Sequence, residues 1–301
     1  MESIVFSWEQ IRGHRIPDTA EFVRAKRMLT EALADLLEKR CIEGARFVGP
    51  IAYSEFDLNF RSEIEILIVS TPGTEYEQIE RLKAEVLKQE AVVVNDVLID
   101  PRNPGNVDRI SHRLYGNYPK EGNIIGRDPL EVWVDVDSDK NEISILAKDF
   151  DNRLNVLKNS YPDLVFGEEY YSHLSMIFDT PRIIARRVAV GLIDKLPDIH
   201  EEIPGAKAFR SQFLAQPKIL DPFERLVKLD NEYWFLLGEA MTGELKTREQ
   251  YENWLLENGK KGHELATDLV SELTQEFLLL SPEGNVKTEL LLPNHILRER
   301  G

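Results

Sequence analysis

Apolar side chains recur at helical spacing near the start of the chain. Between residues 18 and 40 they fall at intervals of three and four positions, from Phe22 to Leu37. Such a stripe is typical of an amphipathic helix that packs one face on a core. Asp18 and Thr19 stand where a cap is expected, because their side-chain oxygens can accept hydrogen bonds from the first free backbone N–H groups. We therefore predict a helix over residues 18–40.

Denser apolar runs farther along the chain predict β-strands. Their branched residues and their glycine and proline boundaries favour strands over helices. The predicted strands cover residues 45–48, 64–69, 91–99, 131–137 and 142–147, the last two as an antiparallel pair. A helix is predicted over 75–89, and the prolines and glycines of residues 101–129 predict a long loop or insertion.

The second half of the chain shows only helical periodicity. Helices are predicted over residues 181–195, 222–242, 247–258 and 262–279, the first beginning at Pro181 with Asp179 or Thr180 as its cap. Mixed strands and helices followed by helices alone predict an α+β fold. We place a mixed β-sheet domain with flanking helices in residues 1–148 and an α-helical domain in residues 149–301.

Charge is the feature of composition that narrows the function most. The 301 residues include 37 Lys+Arg and 53 Asp+Glu, for a net charge of −16. Proteins that bind nucleic acid rely on a cationic face, so this balance argues against a nucleic-acid partner and favours a small cationic molecule or a basic protein. No apolar run reaches the roughly 20 residues of a membrane helix. The first residues lack the features of a secretory leader, and Cys41 is the single cysteine, so we expect a cytoplasmic protein without membrane contact.

Two acidic residues open the strand predicted over 64–69. Glu63 and Glu65 are one residue apart, so on a strand both carboxylates point to the same face while the neighbouring isoleucines point into the core. Two like charges side by side need neutralisation, and a divalent cation supplies it. Mg²⁺ prefers carboxylate oxygens together with phosphate oxygens. The pair therefore suggests a magnesium site for phosphoryl or nucleotidyl transfer.

A turn upstream of these acids completes a recognisable pattern. The sequence reads Val48-Gly49-Pro50, then twelve residues, then Glu63-Ile64-Glu65-Ile66. This order resembles the signature of the polymerase-β-type nucleotidyltransferase superfamily, in which a hydrophobic residue, Gly, and Gly or Ser precede alternating acids and hydrophobic residues. Ser62 stands directly before the first acid. This is similar to the common form of the signature, in which a serine precedes the acids. The helical second half resembles the two-domain arrangement of the kanamycin-nucleotidyltransferase-like members.

The resemblance implies an activity and a set of ligands. A nucleotidyltransferase of this kind transfers a nucleoside monophosphate from a Mg²⁺-bound nucleoside triphosphate to an acceptor hydroxyl, here expected on a small molecule or, as a further possibility, on a protein. Glu63, Glu65 and a third carboxylate from a neighbouring strand would hold the metal, and a two-ion site is possible. Asp96 is favoured as the third by its order along the chain. Asp135 is the alternative, as in members with larger inserts between strands.

Contacts with the nucleotide are implied for four residues around the motif. They are the glycine of the turn, two hydroxyls and a guanidinium group, which suit phosphate oxygens. The candidates are Gly49, Ser54, Arg61 and Ser62.

A cationic edge lies on the helix predicted to begin at Pro181. It consists of Arg182, Arg186 and Arg187. This edge could meet the phosphates, but we expect it to pair with acids of the N-terminal domain.

Two positions depart from the superfamily pattern. Pro50 stands where Gly or Ser is usual, and proline has neither an N–H nor a hydroxyl to donate to a phosphate. Glu63 stands where Asp is usual, and its extra methylene moves the carboxylate in a site where geometry is tight. These departures keep a second hypothesis open, in which the protein retains the fold but is catalytically degenerate and acts as a binding or regulatory module.

Overall fold

Strands occupy the first half of the described chain, and helices alone follow Glu142. The computed structural model describes residues 5–13, 18–53, 63–71, 77, 79–81, 84–85, 93–101, 106–107, 109–135, 141–159, 168–193, 201 and 203–281. Its helices and strands are α1 (Trp8–Gly13), α2 (Thr19–Glu38), β1 (Ile42–Val48), β2 (Glu63–Ser70), β3 (Val93–Ile99), β4 (Asn106–Val107), α3 (Arg109–Gly116), β5 (Ile124–Gly126), β6 (Val134–Asp135), α4 (Glu142–Asn159), α5 (Glu168–Leu192), α6 (Ala206–Gln212), α7 (Pro217–Thr242) and α8 (Arg248–Leu280). Two 3₁₀ turns cover Pro50–Ala52 and Pro129–Glu131. The predicted α+β fold with a helical C-terminal region is confirmed.

The larger sheet is mixed, with the strand order β3-β2-β1-β5. β1 runs antiparallel to both β2 and β5, whereas β2 and β3 are parallel. The residues described between β2 and β3, within the helix predicted over 75–89, are helical. Parallel strands need a crossover connection, and a helix is its usual form.

Both faces of β2 are buried, which explains its nearly continuous apolar run. Ile64, Ile66 and Ile68 pack under α2, together with Phe22 and Leu29 and other residues of a first core cluster. On the opposite face Leu67 and Val69 belong to a second cluster, which also contains Tyr118 and Val132. Glu65 lies between two residues of the first face and therefore belongs to the second.

The predicted start of α2 is confirmed in atomic detail. The Asp18 carboxylate accepts a hydrogen bond from the Glu21 N–H at 2.8 Å, and the Glu21 carboxylate accepts one from the Asp18 N–H at 2.8 Å. This reciprocal capping box satisfies backbone donors that the first turn leaves without partners.

The prediction of a strand pair over 131–137 and 142–147 is wrong. Residues 142–147 form the first turns of α4, whose buried residues recur with helical spacing: Ile145, Leu146, Ala147, Phe150, Leu154 and Leu157. Only residues 134–135 of the first segment are described as a strand, and they pair in parallel with β4. The alternation of isoleucines at 143 and 145 was too short to distinguish a strand from a buried helix.

Three boundaries also differ from the predictions. Pro181 lies inside α5, which begins at Glu168, so it does not start a helix. The predicted loop over 101–129 contains α3 and β5. The helices predicted over 247–258 and 262–279 form one helix, α8, because Gly259 and Gly262 mark a close contact rather than a break. A Cβ at these two positions would lie 2.6 Å from Leu174 Cδ2 and 2.9 Å from Ile177 Cγ2.

A third and larger cluster holds the helices together. It includes buried residues of α4 to α8 and also Val5, Trp8 and Ile11 from the start of the described chain. The predicted division at 148/149 falls inside α4, whose buried side chains all belong to this cluster. The assignment of residues 1–148 and 149–301 to two domains stays a prediction. Among the described helices, none combines the length and the apolar character that crossing a membrane requires.

A buried ion pair fastens the segment after α3 to the sheet. Arg46 of β1 is fully buried, and its Nη1 lies 3.0 Å from an oxygen of Asp128, which is 7% exposed. Its Nη2 donates to the carbonyl oxygens of Gly116 and Tyr118, at 3.3 and 2.8 Å. Asp128 also accepts a hydrogen bond from the Leu130 N–H and so caps a 3₁₀ turn. One arginine thus fixes both ends of residues 116–128 on β1.

Replacing Arg46 by Met tests this anchor. The Asp128 carboxylate would stay buried without its main cation, so we expect the free energy of unfolding to fall by about 3–5 kcal/mol. Arg127→Met is the matched control, because the Arg127–Glu43 pair is 45% and 33% exposed and should contribute less than about 1 kcal/mol. Urea denaturation measures both values. Similar small losses in both variants would contradict the anchoring role of Arg46.

Candidate functional site

The glycine turn and the second acid of the sequence motif meet in space. Gly49 follows β1 with φ +74°, a left-handed conformation that favours glycine. Its neighbour in β1, Val48, pairs with Glu65 across the sheet. A Cβ on Gly49 would lie 2.6 Å from Glu65 Oε2. The absence of a side chain at Gly49 therefore makes the space that the Glu65 carboxylate occupies.

Pro50 begins the 3₁₀ turn that follows this glycine. Proline is favoured at the first position of a helical turn, because its φ is already suitable and no N–H is needed there. The local structure thus accounts for Pro50, and it also means that residue 50 donates no hydrogen bond from the turn.

A lysine and an asparagine hold the turn in place. Lys26 of α2 donates from Nζ to the Ile51 carbonyl at 2.8 Å and to Asn123 Oδ1 at 2.7 Å. Asn123 is 2% exposed and donates to the Ala52 carbonyl at 2.7 Å. Burial lowers the pKa of Lys26. Neither residue was singled out as a site residue from the sequence, since their partners lie far along the chain.

Arg186 brings a positive charge from α5 to the Glu65 face of the sheet. Its Nη2 donates to the Tyr118 hydroxyl at 2.9 Å. Burial by itself lowers the pKa of Arg186, but the neighbouring Tyr118, Glu65 and Tyr115 raise it well above its usual value. The guanidinium is therefore always charged. Arg186 interacts electrostatically with Glu65, an acid of the N-terminal region. The other two arginines of the predicted edge pair with acids of the helical region, Arg182 with Asp230 and Arg187 with Asp149. For those two, the expected pairing with the N-terminal domain is wrong.

The Glu65 carboxyl is ionised in this setting. Burial raises its pKa, but positive charge, including that of Arg186, outweighs burial, so the pKa is lowered overall. The Glu65 charge also raises the pKa of nearby tyrosines. Burial and then Glu65 raise the pKa of Tyr115 to about 12. The site therefore contains a fixed anion and a fixed cation among neutral phenols.

Aromatic rings line the same region. The Tyr115 and Trp133 rings stack with centroids 5.5 Å apart, and the Tyr53 and Tyr118 rings meet edge to face with centroids 6.0 Å apart. Tyr53, Tyr115 and Trp133 are only partly buried, whereas Tyr118 is 6% exposed. Tyr118 is thus a structural link between Arg46 and Arg186, and the other three rings offer surface to a ligand.

Four of the predicted site residues lie wholly or partly outside the described structure. Glu63 begins β2, two positions before Glu65, and its side chain lies outside the described part of the structure. Ser54, Arg61 and Ser62 also lie outside the described residues.

The two candidates for the third carboxylate lie on different strands. The register of β2 and β3 pairs Glu65 with Asn95 and Ile66 with Asp96. Paired residues on neighbouring strands share a face, so the backbone does not bring Asp96 to the face of Glu65. Asp135 belongs to β6 and pairs with Val107. It follows Val132, which packs in the cluster on the Glu65 face.

Comparisons with known proteins assign the chain to no family. No protein-family model and no curated protein sequence matches the chain. Among the described side chains, no group of three or more His, Cys, Asp or Glu residues is arranged to hold a metal ion.

Exchanging Gly49 for Ala tests the contact between the turn and Glu65. Gly122→Ala is a matched control, because Gly122 has φ +71° and its Cβ would meet nothing within 4 Å. Both changes place a side chain in the left-handed region, at a cost of about 1–2 kcal/mol. We expect Gly49→Ala to cost roughly 1–2 kcal/mol more in the free energy of unfolding, since it displaces the carboxylate from its partners. Equal losses in denaturation experiments would show that Glu65 is not held against the turn.

Proposed function

We propose that the protein is a metal-dependent nucleotidyltransferase that moves a nucleoside monophosphate from a nucleoside triphosphate to an acceptor hydroxyl. The observation that carries this proposal is the contact of Gly49 with the Glu65 carboxylate. Two parts of the motif, separated by fifteen residues in the sequence, adjoin at the end of β1. The mixed sheet with a helix against one face also agrees with the helix–strand–loop–strand–helix order of the superfamily that the motif resembles.

The acids fit a hard divalent cation. The Glu65 carboxylate occupies the cradle that Gly49 leaves open, and Glu63 precedes it by two positions on the same strand. Oxygen donors of this kind suit Mg²⁺, so Glu63 and Glu65 would hold it. Magnesium there would supply positive charge to the phosphate oxygens at the point of transfer.

The chain's own cation would help to bind the triphosphate. The Arg186 guanidinium lies close enough to interact with Glu65 and is held by Tyr118. Guanidinium groups bind phosphate oxygens through paired hydrogen bonds. The stacked rings of Tyr115 and Trp133 keep accessible surface beside it and are suited to contact a base or a sugar.

A small acceptor fits the charge of the molecule better than a nucleic acid does. The net charge of −16 would repel a polyanion and attract a cationic small molecule. We extend the proposal to a small, cationic acceptor and to a cytoplasmic location, where nucleoside triphosphates are abundant.

A second candidate function is a nucleotide-binding or regulatory module that has lost catalysis. Two observations favour it. Pro50 donates nothing from the turn to a phosphate, and Arg186 already supplies a positive charge close to Glu65, which reduces the need for a metal ion.

Nucleotide binding with and without metal separates the two functions. We expect calorimetric titration of the four nucleoside triphosphates to show binding that needs Mg²⁺, together with release of pyrophosphate when an acceptor is present. Glu65→Gln keeps the shape of the side chain but removes its charge, and it should weaken Mg²⁺-dependent binding about tenfold or more. Glu121→Gln, at an exposed position, is the matched control and should change nothing.

Metal-independent binding without pyrophosphate release would favour the regulatory module. Absence of binding for every nucleotide would overturn both functions.

The third carboxylate can be identified with one pair of variants. Because the backbone register pairs Asp96 with Ile66 and not with Glu65, we favour Asp135. Asp135→Asn should weaken Mg²⁺-dependent nucleotide binding, whereas Asp96→Asn should leave it unchanged. The reverse result would restore Asp96 as the ligand and would mean that backbone register does not decide the site.

A further inference from the structure

A groove runs along the outer face of α7. It encloses about 720 Å³ and is lined on α7 from Glu224 to Glu239. Apolar side chains at Val227, Leu236 and Trp254 contribute to its wall. At 1.5 Å per residue this stretch is about 22 Å long, which matches several turns of a second helix.

An aromatic side chain protrudes from the same face. Phe235 lines the groove and is 70% exposed. One turn farther on, a Cβ at Gly238 would meet nothing within 4 Å, so the helix backbone is open to a close approach there. A face that carries both a protruding ring and a groove has the two halves of an isologous contact, in which one surface packs on a second copy of itself.

The charges along this face favour an antiparallel arrangement. Lys228 lies toward the start of α7, where it pairs with Glu232 of the same helix at 3.6 Å but stays 78% exposed, and Glu239 lies toward the end of the helix beyond Phe235. When two copies of α7 cross antiparallel about a point midway between residues 232 and 235, Lys228 of each copy lies opposite Glu239 of the other. Each Phe235 then lies opposite Glu232, over the aliphatic part of that side chain. A parallel arrangement would instead place Lys228 against Lys228 and Glu239 against Glu239. The antiparallel arrangement brings Glu232 near its copy, but Lys228 of the same helix neutralises each Glu232.

We propose that the protein forms a two-fold symmetric dimer through the α7 face, with Phe235 of each copy in the groove of the other and two Lys228–Glu239 pairs between the chains. The proposal rests on the shape and the charge order of α7 and is independent of the proposed enzymatic function.

Sedimentation velocity on the full chain tests the dimer. We expect a concentration-dependent dimer between about 1 µM and about 1 mM. Phe235→Glu should raise its dissociation constant about 30-fold or more, because it removes a central ring and places a carboxylate in the groove. Leu214→Glu is the matched control, since Leu214 is 76% exposed but lies outside the groove, and it should leave the dimer intact.

A charge swap tests the orientation of the two copies. Lys228→Glu and Glu239→Lys, each alone, should raise the dissociation constant about 5- to 20-fold, because the symmetric dimer contains each mismatch twice. The double variant should restore dimerisation. Within one chain the two positions are eleven residues apart, about 16 Å along the helix, which exceeds the screening length of about 8 Å at physiological salt. Recovery would therefore require contact between two chains.

A monomer at every concentration would overturn the proposal. A dimer that Phe235→Glu leaves intact would overturn it as well, and a dimer that the double variant does not restore would overturn the antiparallel arrangement. Unchanged far-UV circular dichroism of each variant confirms that any dissociation is not caused by unfolding.

Discussion

Arg46 carries a full positive charge into the interior of the sheet region, where water cannot solvate it. Such a charge is tolerated only when an opposite charge and enough hydrogen-bond acceptors surround it. Asp128 supplies the charge, and the carbonyls of Gly116 and Tyr118 supply acceptors. The segment between α3 and β6 must therefore lie where these groups can reach β1. That constraint places Tyr118 beside Arg186 and creates the wall of the candidate site.

In the candidate site, too, a charge in a largely buried position is compensated by an opposite charge. Glu65 is an acid on a strand whose residues 64 and 66–69 are buried. Nearby positive charge, to which Arg186 contributes, lowers its pKa, and the open space at Gly49 accommodates its carboxylate. Lys26 and Asn123 hold the turn from the side of α2. Under the proposed function, a nucleotide with its metal would enter a region that already holds the Glu65 anion and the Arg186 cation, so little reorganisation would be needed for binding.

Local patterns were sufficient to predict the elements that hold the motif. The stripe of α2, its cap at Asp18 and the dense apolar run of β2 depend on neighbours in the sequence, and the structure agrees with them. Predictions from local patterns failed where contacts between residues distant in the sequence determine the secondary structure. Residues 142–147 alternate briefly like a strand but belong to a long helix, and Gly259 resembles a break but allows α5 to approach α8. The Arg46–Asp128 pair spans 82 positions, and no local signal connects such residues. For the same reason the sequence named Gly49 and Glu65 but gave no sign that Lys26, Asn123 and Tyr118 support them.

Anomalous diffraction from crystals grown with Mn²⁺ and a non-hydrolysable nucleoside triphosphate tests the proposed metal site most directly. Mn²⁺ takes the place of Mg²⁺ at oxygen ligands and can be located by its own signal. We expect an anomalous peak bound by Glu63 and Glu65, beside the Gly49 turn, with the triphosphate reaching toward Arg186. A nucleotide bound elsewhere, or no metal peak at these carboxylates, would contradict it.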